Sequence, residues 1–94
     1  MKTVRLGIIG MSNMGKFHAD YLTAGKVPRT ELAAVSDAFP ANLEKYEHLK
    51  TFERSEDLIR SGAVDAVIIA TPHYLHTSIG IDALNQGVHV LVEN

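Results

Sequence analysis

The sequence predicts an α/β domain: a three-layer, doubly wound parallel sheet of about five strands in the order 3-2-1-4-5. Three observations lead there. Short apolar blocks alternate with longer amphipathic ones, giving the series βαβαβαβαβ, and strands that alternate with helices form parallel sheets through right-handed crossovers. One block, Asp65 to Ala70 (DAVIIA), is apolar throughout after its first residue, as a strand covered on both faces should be. Glycines punctuate the helix ends at Gly25, Gly62 and Gly87.

The first strand is expected over Thr3 to Ile9, where Val4, Leu6, Ile8 and Ile9 are apolar and Gly10 ends the run. A helix follows over Met14 to Ala24, with Met14, Phe17, Tyr21 and Leu22 at helical spacing. Pro28 and Arg29 make the next turn. Thr30 to Ser36 reads as the second strand. Pro40 suits the first turn of a helix through Leu43, Tyr46 and Leu49. Lys50 to Glu53 is a very short third strand. Ser55 is expected to cap a brief helix whose Glu56 and Asp57 favour its N-terminal dipole. After the DAVIIA strand, Thr71–Pro72 breaks the chain. A helix over Tyr74 to Gln86 then places Leu75, Ile79, Ala83 and Leu84 on one face, and Val88 to Val92 is the fifth strand.

Composition narrows the function. The chain has 94 residues, 46% hydrophobic and 21% charged, with a net charge of −2. That balance excludes a disordered tail and a strongly basic nucleic-acid binder. A single domain with a radius of gyration of ~12 Å is expected. With no cysteine, a disulfide framework, a Cys-ligated zinc and a thiol nucleophile are excluded. The longest purely apolar run, Ala66 to Ala70, is far short of the ~20 residues that span a bilayer. Arg5 interrupts any signal-peptide core. The expected location is the cytoplasm, with no membrane or nucleic-acid partner.

The chemistry lies at the strand ends. The first turn reads Gly10-Met-Ser12-Asn13-Met14-Gly15, a G-x-G-x-x-G fingerprint with serine in the middle place. The first glycine permits the tight turn, the last lets the helix approach the sheet, and the middle one admits a pyrophosphate. The Cβ of Ser12 adds bulk there, while its hydroxyl offers a hydrogen bond. A plain strand-to-helix turn would also need glycines for shape. Free N–H groups at the helix start suit an anion. Asp37 ends the second strand about 20 residues later, where an acid can bind the adenosine ribose and repel a 2′-phosphate. An ordinary turn aspartate is the plainer reading. Strand, turn, helix, strand and acid in this order favour a Rossmann-type dinucleotide site, with NAD preferred over NADP. A methyltransferase also pairs a glycine turn with such an acid, but the NMG and TPHYLH segments argue against it.

The fourth strand leads into Thr71-Pro72-His73-Tyr74-Leu75-His76, which topology brings opposite the glycine turn. Thr71 and nearby backbone are candidates for cofactor contact; alternatively Pro72 only starts the turn and His76 caps or packs. The two histidines lack a third neighbouring ligand, so no metal site is expected. His18, His48 and His89 are weaker candidates, and no Ser–His–Asp arrangement is apparent. The charged stretch from Glu44 to Glu53 reads as a solvated face.

Taken together, GIIG with NMGKFHADYL, VSD at Asp37, DAVIIATPHYLH and ALNQGVHVLVEN resemble the N-terminal NAD(P)-binding Rossmann domain of the Gfo/Idh/MocA oxidoreductase family. The likeness covers essentially the whole chain. It implies an enzyme that transfers hydride between a hydroxyl-bearing carbon of a sugar or cyclitol and nicotinamide. By that likeness, Gly10, Ser12, Asn13, Met14 and Gly15 hold the pyrophosphate and Asp37 the ribose. Thr71, Pro72 and His73 lie along the cofactor, His76 opens the next helix, and Glu93 sits near the nicotinamide ribose. Asn94 stands where the family pattern has a lysine serving the reacting carbon, and asparagine supplies no titratable proton. No catalytic residue is assigned. The family's C-terminal substrate domain is absent from these 94 residues, so the isolated chain is expected to bind cofactor without turning over substrate. The alternative is a stand-alone dinucleotide sensor or regulatory module. Strand 88–92 would be an exposed edge, which suggests a homodimer.

Overall fold

A computed structural model describes residues 3–71 and 75–92. Its five strands are β1 (Val4–Ile9), β2 (Thr30–Ser36), β3 (Lys50–Phe52), β4 (Ala66–Ile69) and β5 (His89–Val92), and the helices are α1 (Asn13–Thr23), α2 (Ser55–Ile59) and α3 (His76–Asn85). The strands form one parallel sheet in the order β3-β2-β1-β4-β5. The predicted topology is therefore the observed one. Its order reverses between β1 and β4, and a crevice opens above their C-terminal ends.

Alternation along the strands divides the core into two layers. Leu6 and Ile8 of β1, Val35 of β2 and Ala66 and Ile68 of β4 pack on one face with Ala19 and Leu22 of α1. Ile9, Ala34, Val67 and Ile69 point to the other face, against Leu58 and Ile59 of α2 and Ala83 of α3. This explains why β4 reads as an unbroken apolar run. Fully burying one such Ile or Leu contributes about 1.5–3 kcal/mol. The radius of gyration is 11.9 Å, as expected for this length.

Four local expectations need correction. The segment after Pro40 is a 3-10 helix, Pro40–Tyr46; Asn42 N–H donates to the Phe39 carbonyl three residues back. Burying Leu43 and Tyr46 on the sheet needs only this short, tighter form. Ser55 is not a cap: it is the first residue of α2, and Arg54 takes the cap position with no side-chain bond. On α3, Ala83 is buried but Leu84 is exposed, so the packed stripe runs through Ile79 and Ala83.

The fourth correction concerns α1. Its buried residues are Gly15, Ala19 and Leu22, whereas Met14, Phe17 and Tyr21 face outward, Phe17 being 61% exposed. Both sets have helical spacing. The small set faces the sheet because the tight turn before α1 brings Gly15 against β1's end and leaves no room there for large side chains. Phe17 stacks on Tyr21 with ring centroids 6.3 Å apart and meets His18 edge-on at 5.8 Å. Among the described residues, no helix is long and apolar enough to cross a membrane.

Candidate functional site

β1 ends in Gly10, whose φ of +97° is disfavoured for a residue with a Cβ. Its N–H donates to the Ser36 carbonyl at 2.9 Å, tying the turn to β2. Gly15 then lies so close that a Cβ on it would stand 1.8 Å from the Gly10 carbonyl oxygen. The first and last glycines of the fingerprint are thus both demanded by geometry. Ser12 is different. Its φ of −76° is ordinary for an L-residue, so serine fits there without strain. Its carbonyl accepts the Lys16 N–H at 2.9 Å, while its hydroxyl makes no cap bond and lines the cleft. Asn13 and Met14 open α1, where the first N–H groups of a helix have no intrahelical partner.

Asp37 is fixed by three hydrogen bonds. Its N–H donates to the Phe52 carbonyl at the end of β3, 3.1 Å away. Its carboxylate accepts the Met11 N–H at 2.7 Å through Oδ2 and the Phe39 N–H at 2.8 Å through Oδ1. The acid therefore bridges the glycine turn and the loop after β2. Met11 itself is fully buried with Ala19 and Val35, so this turn is anchored by a side chain below and a hydrogen bond above. Asp37 takes part in no ion pair among the described residues, and each of its oxygens retains acceptor capacity toward a hydroxyl.

Across the crevice, the Ala70 N–H donates to the Ile9 carbonyl at 2.8 Å, placing the end of β4 beside the glycine turn. Thr71 follows. Its Oγ1 is buried without a hydrogen-bond partner, an arrangement that costs roughly 1–3 kcal/mol. The Thr71 carbonyl accepts the His76 Nε2–H at 2.7 Å. His76, the first residue of α3, thus ties the start of that helix to Thr71.

These groups line one cleft of about 640 Å³. Of the sequence-predicted residues, Gly10, Ser12, Asp37 and Thr71 line it. Gly15 lies behind the turn, and Asn13, Met14 and His76 do not line the cleft. Pro72, His73 and Glu93 lie outside the described residues. The sequence reading passed over Phe39, Asn42, Arg54, Glu56, Leu75 and Ile79, which also line the cleft. They come from segments that read as turns, short helices or helix flanks. Only the strand order that brings β3 beside β2 could have pointed to Arg54 and Glu56.

Residues 4–94 match the model of the oxidoreductase family with the NAD-binding Rossmann fold, GFO_IDH_MocA. The chain belongs to the Gfo/Idh/MocA oxidoreductase family. The rhizopine catabolism protein MocA of Rhizobium meliloti is 35% identical over 95 residues, covering 99% of this chain and 29% of that protein. An inositol 2-dehydrogenase of Corynebacterium glutamicum is 31% identical over 96 residues, covering 98% and 28%. The crystal structure of scyllo-inositol dehydrogenase from Lactobacillus casei, with bound NAD(H) and scyllo-inositol, shares 34% identity at a TM-score of 0.90, covering 99% of this chain and 28% of that one. The chain thus spans under a third of the length of these relatives. It is the family's NAD-binding Rossmann domain.

Proposed function

We propose that the cleft holds NAD in preference to NADP, with the adenosine ribose against Asp37, the pyrophosphate over Gly10 to Gly15, and Thr71 toward the middle of the cofactor. The observation that carries this reading is the Asp37 carboxylate. Among the described residues it is held at the end of β2 by backbone N–H groups alone, faces a cleft and keeps lone pairs for two ribose hydroxyls. A 2′-phosphate would meet that carboxylate as a like charge.

The remaining residues fit the cofactor. Gly10 and Gly15 let the backbone close tightly under a phosphate group, and the start of α1 turns its free N–H groups and positive dipole end toward an anion. The Ser12 hydroxyl is available as a further donor. The buried Thr71 Oγ1 gains the partner it lacks. Leu75 and Ile79 supply an apolar wall that excludes water from an aromatic ring.

Bound nicotinamide supplies hydride acceptance and donation. The identity of the relatives supports a parent reaction between a hydroxyl-bearing carbon of a sugar or cyclitol and the nicotinamide ring. In that reaction these residues bind and orient the cofactor, and the substrate walls belong to polypeptide outside residues 1–94.

Parallel calorimetric titrations with NAD, NADP and S-adenosylmethionine test the reading. The expected result is saturable NAD binding, weaker NADP binding and none of S-adenosylmethionine. Binding of S-adenosylmethionine alone, or of none of the three, would refute it.

A further inference from the structure

We propose that Glu56, by holding Arg54, is a second determinant of cofactor choice that acts with Asp37 against a 2′-phosphorylated dinucleotide. This inference rests on the NAD reading of the cleft.

The chain leaves β3 beside the acid: Phe52 is the register partner of Ser36 and accepts the Asp37 N–H. Arg54 follows two residues later and lines the same cleft as Asp37. A phosphate on the ribose carbon nearest Asp37 would project toward this segment. Arg54 is the one cationic side chain lining the cleft among the described residues. A guanidinium here is the group that would recognise a phosphate, through paired N–H donors.

It is engaged elsewhere. Its Nη2 donates to Glu56 Oε2 at 2.5 Å. This hydrogen bond holds the Glu56 carboxyl below its ordinary range, so the pair is ionised at neutral pH. Glu53 and Glu56 also line the cleft, giving three carboxylates with Asp37 against one guanidinium. The rim of the adenosine end therefore carries negative charge, and its cation is already paired.

The pair is exposed, with side-chain accessibilities of 68% and 46%, so the expected effect is modest. Titrations of the wild type, Glu56→Gln, Arg54→Gln and the double variant with NAD and NADP measure it. In Glu56→Gln the ratio of NADP to NAD affinity should rise about fivefold. In the double variant that gain should vanish, because the freed guanidinium is what meets the phosphate. An unchanged ratio in Glu56→Gln would overturn the proposal. So would a gain that persists without Arg54, since loss of one negative charge would then suffice. Failure of the NAD reading shows separately, as a wild type that does not titrate with NAD, and it takes this inference with it.

Discussion

Two aspartates mark opposite ends of the sheet, and they are held in different ways. At the N-terminal end, Asp65 grips Arg5. Its Oδ1 accepts Nη2–H at 2.9 Å, and Oδ2 accepts both Nε–H and the Arg5 backbone N–H. Arg5 Nη1 reaches on to the Gly62 carbonyl. Charge there meets charge, and the carboxylate ties β1 to the start of β4. At the C-terminal end, Asp37 is held, among the described residues, by backbone N–H groups only, beside a cleft. A carboxylate without a cation retains its field and its lone pairs for a ligand. The same residue type closes the fold at one end and, in the proposed function, faces a ligand at the other, and its neighbours decide which.

The largest effect should come from filling the turn above β1. Gly15→Ala puts a methyl group against the Gly10 carbonyl oxygen, and the turn must open to accept it. Denaturant unfolding should show a loss of about 1–3 kcal/mol, and calorimetry at least a tenfold loss of NAD affinity.

Removing the two acids separates their roles. Asp37→Ala leaves the Met11 N–H without its acceptor in a partly buried turn. It should lower stability by about 1 kcal/mol and NAD affinity by about tenfold, the latter equal to about 1.4 kcal/mol. Asp65→Ala breaks a pair in which both side chains are 43% exposed. After allowance for solvent screening it should cost little stability and leave NAD affinity where it was. Equal losses of affinity in the two variants would erase the distinction between the two ends.

Thr71→Val sharpens the contrast from the other side of the crevice. The substitution removes a buried hydroxyl that lacks a partner. The ligand-free protein should become more stable by roughly 1 kcal/mol, measured by unfolding, while NAD affinity falls severalfold. A residue that served only the fold would not move the two quantities in opposite directions.

The smallest effect concerns pH. The hydrogen bond from Arg60 holds the Asp82 carboxyl below its ordinary value. A group shifted downward lends stability above its unfolded pKa and loses it as the pH falls through the folded one. The melting temperature should therefore be insensitive to this pair between pH 6 and 8 (about neutral) and decline in acid. Asp82→Asn should flatten part of that acid decline.

The strand order was legible because strands alternate with helices along the chain and β4 is apolar throughout, as a parallel sheet covered on both faces requires. The glycine turn and Asp37 were legible because their backbone demands are local. The outward face of α1 was not. Gly15-Ala19-Leu22 and Met14-Phe17-Tyr21 are both helical stripes, and hydrophobicity alone favours the larger one. A contact with the Gly10 carbonyl, made in three dimensions, selects the smaller. Arg54 and Glu56 were hidden for a related reason. Their chemistry depends on β3 lying against β2, and along the chain Glu56 reads only as a first-turn acid of a short helix. Sequence therefore reports what a residue requires of its own backbone more readily than what it meets across the sheet.

The contrast between the two ends is tested most directly by mapping amide chemical shifts during titration with NAD. The account predicts perturbations at Gly10, Ser12, Asp37 to Phe39 and Thr71, with Gly62, Asp65 and His89 at the opposite end unmoved. Perturbations centred on Gly62 and Asp65, with the glycine turn unmoved, would contradict it.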